Sequence, residues 1–427
     1  MRWKNQLTKT PYLVLFIVLI SVGVGTASAL ITITLSGDVI ITGALDMTGD
    51  KITNLGAPTA PTDAATKGYV DSSSSGASIR DFVNVLDPSV GDGQAIDTSI
   101  AIGSDGFPVI AYHNSDLDNL KFVHCADVSC HAIIPSPIVL DATGGAEPSV
   151  TIGNDGFPII SYGGNDLEIV HCTSVDCFTF DVPLTIPATN AALDTAIAIG
   201  TDGFPVISFF GTNSDLNFVH CTSANCSTQD AVLALDSTDD VGEDSSIAIG
   251  SDGFPVISYH KDTSGDLKFV HCTSANCSSF DTPVTIGPYT DAGQETDIAI
   301  GTDGFPIISH SNQNNGDILV EHCLNLGCTS HESAILDDET FGDFTSIAIG
   351  TDGFPVVSYH DGRIGATALR FVHCTSINCS TADDPIILDN EGSLGTDTSI
   401  VITTDGFPII SYYDNGDLDL KIIKVGV

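Results

Sequence analysis

The chain has 427 residues, of which 42% are hydrophobic, so it is long enough for one large repeat domain or two to three ordinary ones, and wholesale disorder is excluded. It carries 55 acidic and 13 basic residues, which give a formal net charge of −42. Such a surface repels nucleic acid and anionic lipid. We therefore expect no nucleic-acid partner; the charge suits solubility in salt, cation binding or display outside a cell.

The first segment, residues 1–29, predicts a secretory signal peptide. Arg2, Lys4 and Lys9 give it a positive start, and residues 12–24 form an apolar run. Ala27-Ser28-Ala29 is an A-x-A cleavage site, which completes the pattern of a signal peptide. The apolar run is short for a membrane span of about 20 residues, and an uncleaved membrane anchor is the alternative. Export predicts a secreted or cell-surface location and oxidised cysteines.

Residues 30–79 form a second segment, which has no cysteine and none of the repeats that follow. Within it, residues 47–72 read MTGDKITNLGAPTAPTDAATKGYVDS, which resembles a segment of phage tail fibres and related fibrous surface proteins. The resemblance implies a short stalk, trimeric in that family, next to a receptor-binding tip. We expect a homotrimeric stalk here, with a plain linker as the alternative, and the run SSSSG at residues 72–76 predicts a flexible joint.

The rest of the chain, residues 80–427, is organised by a repeated four-residue sequence, Asp-Gly-Phe-Pro. It occurs seven times at intervals of about fifty residues, beginning at Asp105, Asp155, Asp202, Asp252, Asp303, Asp352 and Asp405. A period of this length indicates a modular array. Asp-Gly predicts a tight turn, because this pair tolerates positive φ angles.

The fourth repeat shows the expected content of one module. Four short apolar runs, called strands A to D, are predicted at residues 246–249, 256–259, 266–272 and 283–286. Four short strands joined by turns describe one blade of a β-propeller. No repeat has the apolar period of a helix, so a helical solenoid is excluded.

The two ends of the repeat region complement each other. The seventh repeat stops after its C strand at residues 420–425, while residues 81–87 match the D strands of other repeats and precede the first A strand. A shared blade would close the ring and remove both exposed edges. The sequence therefore predicts an all-β, seven-bladed propeller whose last blade is closed by an N-terminal strand.

The twelve cysteines form six pairs with one spacing, and each pair spans a C–D loop. The pairs are Cys125 with Cys130, Cys172 with Cys177, Cys221 with Cys226, Cys272 with Cys277, Cys323 with Cys328, and Cys374 with Cys379. In an exported chain they predict six local disulfides, since Cys-x4-Cys is not a usual zinc spacing. A histidine precedes the first cysteine of every pair, and we expect each to pack or hydrogen-bond beside its own disulfide.

An acidic residue stands at the start of most A strands, where the central channel should open: Asp97, Glu147, Asp194, Asp244, Glu295 and Asp397, with Asp343 one place earlier in the sixth repeat. The B–C and D–A loops on this side vary between repeats, and variable loops on a rigid scaffold are typical binding sites. The acids could bind Ca²⁺ through oxygen ligands, or they are solvated acids that cap the strands; no other cofactor is expected.

Catalysis finds little support in the sequence, because the repeats are near copies and no nucleophile or His–Glu metal motif is present. Sialidase chemistry uses an arginine cluster, and the repeat region has only Arg80, Arg363 and Arg370. We expect a non-enzymatic recognition or adhesion protein that binds a glycan or protein ligand on a surface. The alternatives are a propeller enzyme of the glycoside hydrolase or lyase kind, and a structural envelope protein.

Overall fold

The computed structural model describes residues 80–87, 95–134, 136–187, 192–211, 213–287, 292–338, 341–363, 367–390 and 394–426. These residues form strands and turns, and none of them belongs to a helix that could span a membrane. The signal peptide, the trimeric stalk and the joint fall outside the described residues and stay predictions.

The described strands form seven antiparallel sheets of four strands each. The A strands are β2 (Ala95–Ile102), β6 (Ala146–Ile152), β10 (Ala192–Ile199), β14 (Glu243–Ile249), β18 (Ala292–Ile300), β22 (Gly342–Ile349) and β26 (Leu394–Ile402). The B strands are β3 (Pro108–Asn114), β7 (Pro158–Gly163), β11 (Pro205–Gly211), β15 (Pro255–Lys261), β19 (Pro306–Asn312), β23 (Pro355–Asp361) and β27 (Pro408–Asp414).

The outer half of each sheet consists of a C and a D strand. The C strands are β4 (Asn119–His124), β8 (Leu167–His171), β12 (Asp215–His220), β16 (Asp266–His271), β20 (Asp317–Cys323), β24 (Ala368–His373) and β28 (Asp419–Val425). The D strands are β5 (Ile138–Asp141), β9 (Leu184–Ile186), β13 (Leu233–Asp236), β17 (Val284–Ile286), β21 (His331–Asp337), β25 (Ile386–Asp389) and β1 (Arg80–Asp87). Each A strand contacts the A strands of the two neighbouring sheets, β26 contacting β2, so the A strands surround a central channel. The predicted seven-bladed propeller is confirmed.

Closure of the ring follows the predicted exchange of strands. The last sheet has the order β1-β28-β27-β26, with Asn84 opposite Ile422 and Val85 opposite Lys421. Leu86 is buried in one cluster with Leu420 and Ile422 of this blade and with Ile100 and Ile110 of the first blade. We number the blades 1 to 7 from β2, so that β1 completes blade 7.

The hydrophobic core lies between blades rather than within them. In one cluster, Val206 and Phe218 of blade 3 pack against Ile247 and Tyr259 of blade 4. Both faces of the B strands are buried, as in β3, β7 and β19. This burial explains why the B strands read as nearly continuous apolar runs rather than as alternating ones.

The Asp-Gly-Phe-Pro turns and the histidines of the C strands form one repeated hydrogen-bonded unit. In blade 4, Gly253 has φ of 88°, Oδ1 of Asp252 accepts a hydrogen bond from the backbone N–H of Phe254 (3.1 Å), and Oδ2 lies 2.9 Å from Nε2 of His271. Five other blades repeat this pair at 2.7–2.9 Å: Asp105–His124, Asp155–His171, Asp202–His220, Asp303–His322 and Asp352–His373. The histidines thus tie turns to C strands within their own blades, and Lys424 does so with Asp405 in blade 7.

The six predicted disulfides are confirmed, one in each of blades 1 to 6. They join Cys125 to Cys130, Cys172 to Cys177, Cys221 to Cys226, Cys272 to Cys277, Cys323 to Cys328, and Cys374 to Cys379. All twelve cysteines are buried, and none of those described is free. Six disulfides are typical of a protein from an oxidising, extracellular compartment.

The second cysteine of each pair has a backbone conformation that the sequence analysis did not predict. Its φ angle is positive, between 48° and 57°, at Cys130, Cys177, Cys226, Cys277, Cys328 and Cys379. In blade 4 the backbone N–H of Cys277 donates a hydrogen bond to the carbonyl of Ser274 (3.0 Å), and the other five pairs repeat this bond at 3.0–3.1 Å. A positive φ angle is uncommon for residues other than glycine, asparagine and aspartate. In each loop the turn hydrogen bond and the disulfide together hold the cysteine in this conformation.

Replacing both Cys272 and Cys277 with alanine is expected to lower the free energy of unfolding by about 2 kcal/mol, because the unfolded chain loses a short loop constraint. The two residues are five positions apart. Urea denaturation measures this change. Ser278→Ala in the same exposed loop is the control, and equal midpoints for the two variants would contradict a stabilising disulfide.

Candidate functional site

A β-bulge near the start of every A strand places one residue at the central channel. In blade 4 the register between β14 and β15 shifts between Glu243 and Ser246. Asp244, which lies between these two residues, has a φ angle of 51°. The equivalent residues of all seven blades have φ of 48–53°: Asp97, Glu147, Asp194, Asp244, Glu295, Phe344 and Asp397. A bulge re-aims the side chain of its extra residue, here toward the channel. We call the six carboxyl side chains the acidic ring.

The acidic ring lines a cavity of about 190 Å³ together with Phe344, Pro148 and one hydroxyl residue from each of six blades, namely Thr98, Thr195, Ser245, Thr296, Thr345 and Thr398. The hydroxyls also join neighbouring blades. Thr98, for example, donates a hydrogen bond to the backbone carbonyl of Asp397 (2.9 Å) and lies 2.8 Å from Oγ of Ser411. The cavity is therefore polar and its wall is cross-linked by hydrogen bonds.

Hydrogen bonds between blades also position the carboxyl groups. Oδ2 of Asp97 accepts from the backbone N–H of Glu147 (3.3 Å), and Oδ2 of Asp244 accepts from that of Glu295 (3.0 Å). Oε2 of Glu147 accepts from the N–H of Asp194 in the same way. Each of these carboxyl groups thus contacts the bulge of the next blade, which gives it a defined direction at the channel.

Crowding of the acidic ring changes its protonation. Burial, followed by the negative charge of Asp97, raises the pKa of Asp397 to about 7. Burial and neighbouring carboxylates hold the pKa of Asp194 and that of Glu295 well above the ordinary range, and burial likewise raises the pKa of Glu147. Near neutral pH the ring therefore contains carboxyl groups that still hold a proton.

Imidazole and phenol side chains stand beside the ring, at the position five residues after the proline of a B strand. Nδ1 of His113 lies 3.4 Å from Oδ2 of Asp97; burial lowers the pKa of His113, but contacts with Asp97 and Asp118 outweigh it, and the net pKa is raised. Burial and the charge of Asp397 raise the pKa of Tyr413 to about 12. Asp97 and Asp397 lie on blades 1 and 7, which meet where the ring closes, so an imidazole and a phenol stand beside the acids on either side of that junction.

The structure brings together the six acids predicted at the channel, while their binding role and the Ca²⁺ stay predictions. Asp343 does not line the cavity: the bulge of blade 6 presents Phe344 there, and Asp343 is the cross-strand partner of His360. Its negative charge is still close enough to help raise the pKa of Glu295 and that of Asp397. The hydroxyl row was missed by the sequence analysis, although a threonine or serine directly follows the acid in most repeats.

Comparison with known proteins supports the fold alone. No protein-family model matches the chain, and no curated protein does. A solved structure of a protein of unknown function from Dyadobacter fermentans is similar at a TM-score of 0.55 and 12% identity, covering 81% of this chain and 99% of that one. Similarity extends to the NanB sialidase of Streptococcus pneumoniae (TM-score 0.48, 10% identity, 82% and 71% covered) and to an α-L-arabinanase of Penicillium chrysogenum in complex with arabinobiose (0.48, 10%, 80% and 96%).

The prediction that the protein is not an enzyme is contradicted by these matches, because enzymes are among the propellers to which the chain is similar. Near-identical repeats do not by themselves exclude catalysis. Equivalent positions in different blades converge on one cavity, and there the same residue type can acquire different protonation states. A catalytic set can therefore be built from repeated acids without a linear motif.

Proposed function

We propose that the protein is a carbohydrate-active enzyme of the glycoside hydrolase kind that accepts an uncharged glycan at the acidic ring. One observation carries this proposal: six carboxyl groups from six blades surround one cavity, and some of them hold a proton near neutral pH. Glycoside hydrolysis uses a protonated carboxyl group and an ionised one on either side of the scissile bond.

Asp397 and Asp97 are neighbours suited to these two roles, and Asp244, whose pKa burial also raises to about 7, is a second candidate for the acid. A general acid works best when its pKa is near the working pH, and the pKa of Asp397 is raised to about 7. The charge of Asp97 is one cause of that shift, which places the two carboxyl groups near each other, and we assign Asp97 the role of base or nucleophile. His113 contacts Asp97 and positions its carboxylate.

The charge and the size of the cavity define the substrate class. A ring of acids repels a carboxylate-bearing sugar, and the described arginines that could offset it are engaged elsewhere: Arg363 pairs with Asp361, and Arg370 with Asp337 and Asp361. Sites for drug-sized ligands measure about 300–1,000 Å³, so a cavity of about 190 Å³ suits one terminal sugar. Neutral glycans on a cell or particle surface fit the predicted location, and binding them is the recognition step of this activity.

The test is release of reducing sugar from a panel of neutral polysaccharides and glycoconjugates. We expect Asp397→Asn to lower kcat by about 10²–10⁴-fold, the usual contribution of a general acid, with little change in KM. In the parent, activity should fall as the pH rises above about 7, where Asp397 loses its proton.

Asp384→Asn is the matched control, since Asp384 is exposed in the C–D loop of blade 6, on the opposite side of the propeller. It should retain the parent's kcat. No release from any neutral glycan, or equal kcat values for Asp397→Asn and the parent, would refute the proposed activity. Glycan binding without turnover would identify the cavity as a recognition site.

A further inference from the structure

A second cluster of potential ligands lies in blade 4, outside the cavity. Glu243, His260 and Asp262 offer a carboxylate, an imidazole and a carboxylate whose ligand atoms all lie within 4.8 Å of one another. Nδ1 of His260 is 3.8 Å from Oε2 of Glu243. His260 is 1% exposed, while Asp262 is exposed, so the cluster has a buried nitrogen and an open side.

The fold holds the first two ligands together. Glu243 and His260 are cross-strand partners at the ends of β14 and β15. The backbone N–H of Gly242 also donates a hydrogen bond to the carbonyl of His260 (3.0 Å), which ties the D–A loop to the end of β15. Asp262 follows β15 directly, so all three ligands stand on or next to paired strand ends rather than on independent loops.

Comparison between blades shows that the cluster is not a by-product of the repeat. Blades 1 and 6 have a histidine at the same position of the B strand, His113 and His360. The cross-strand partner of His113 is Ile96. His360 faces Asp343, but Gly362 occupies the position of Asp262. Among the described residues, Glu243, His260 and Asp262 are the one group of three such side chains whose ligand atoms all lie within 4.8 Å of one another.

The charge of the cluster is not offset by nearby basic side chains. Lys261 pairs with Asp239 at 3.0 Å, and Lys268 lies 3.7 Å from Asp236. Within the described part of the chain, neither Glu243 nor Asp262 forms an ion pair with a lysine or arginine. Two carboxylates beside a buried imidazole therefore create a local field that favours a cation.

We propose that Glu243, His260 and Asp262 form a binding site for a divalent transition-metal ion of the Zn²⁺ class. One imidazole with two carboxylates is a mixed nitrogen and oxygen set, which suits zinc and its neighbours better than the all-oxygen sets of calcium and magnesium. Ligand atoms about 2.1 Å from one tetrahedral ion are about 3.4 Å apart, so binding needs side-chain adjustments of about 1 Å. The open side leaves room for water as a further ligand.

The test is calorimetric titration of the EDTA-treated, dialysed full chain with Zn²⁺ alone. We expect one equivalent to bind in the parent, and His260→Gln to lose this isotherm. Asp262→Asn, which changes an exposed residue, should weaken binding by at least about tenfold, because even loss of an outer-shell partner of a metal site costs about 10–100-fold. Co²⁺ in place of Zn²⁺ should give a visible absorption spectrum in the parent that is absent in His260→Gln.

Matched controls separate this site from the rest of the molecule. His360→Gln in blade 6 and Glu295→Gln in the acidic ring should both retain the one-equivalent isotherm. The proposal is overturned if no saturable binding occurs, if His260→Gln and Asp262→Asn bind as the parent does, or if Glu295→Gln alone abolishes binding. Far-ultraviolet circular dichroism in EDTA checks that each variant is folded. These readouts are independent of glycan hydrolysis.

Discussion

Leu86→Asp is expected to lower the free energy of unfolding by about 4 kcal/mol or more. Leu86 of the closing strand is 3% exposed and packs with Leu420 and Ile422 at the junction of blades 7 and 1. A carboxylate at this position would be buried without a partner, which is among the most costly single substitutions. Urea denaturation followed by far-ultraviolet circular dichroism measures the change, with the midpoint and the slope fitted separately.

The neighbouring residue provides the control on the same strand. Val85 is 43% exposed, and a charge on the outer side of an edge strand is well tolerated, so Val85→Asp should change the free energy of unfolding by less than about 1 kcal/mol. Deletion of residues 80–87 should open the ring and expose β28 to aggregation. Equal stability of Leu86→Asp and Val85→Asp, together with a monomeric deletion variant, would show that closure is not needed.

The second large effect is a pH dependence of stability caused by the acidic ring. The pKa of Asp397 is about 7 in the folded protein against 3.8 for an ordinary aspartate. Between pH 4 and pH 7 the folded state therefore binds more protons than the unfolded state, so the contribution of this group to stability falls as the pH rises through that window. Three pKa units correspond to up to about 4 kcal/mol. Glu295, whose pKa is also raised, acts in the same direction.

Asp397→Asn removes this titration, because an amide cannot ionise. The variant should be more stable than the parent at pH 8 by a few kcal/mol, and the difference should shrink toward pH 4. Asp384→Asn, an exposed change on the opposite side, should not alter the pH profile. Thermal or urea unfolding in EDTA across pH 4–8 is the measurement, and parallel profiles for the parent and Asp397→Asn would contradict a raised pKa in the ring.

Much of the architecture could be predicted because each repeat contains the same short sequence signals for turns, strands and disulfides. The turn at Gly253 requires only a residue that tolerates a positive φ angle. Cys272 and Cys277 lie in one short loop, so their disulfide needs no long-range contact. Closure could also be predicted, since residues 81–87 resemble the D strands of other repeats. These features depend on short-range chemistry or on repetition along the chain, and both are visible without coordinates.

The bulges could not be predicted in the same way. The apolar pattern predicts that the A strand of blade 4 begins at Ser246, whereas β14 begins at Glu243, and the shift in register there directs Asp244 to the channel. In blade 6 the same shift selects Phe344 and leaves Asp343 beside His360. Which of two adjacent residues faces the cavity depends on pairing with the neighbouring strand, which spacing does not reveal.

The sequence alone therefore established the number of blades and the disulfide pairs, since both follow from short patterns that repeat along the chain. It also established the exchange of the closing strand, because residues 81–87 match the D strands of other repeats. Three-dimensional packing established the rest: that Phe344 rather than Asp343 lines the cavity, which of the acids keep a proton, and that Glu243, His260 and Asp262 lie together. The physical reason is that protonation and metal ligation depend on burial and on distances between side chains. In a ring of seven blades, those distances are set by strands about fifty residues apart in the chain.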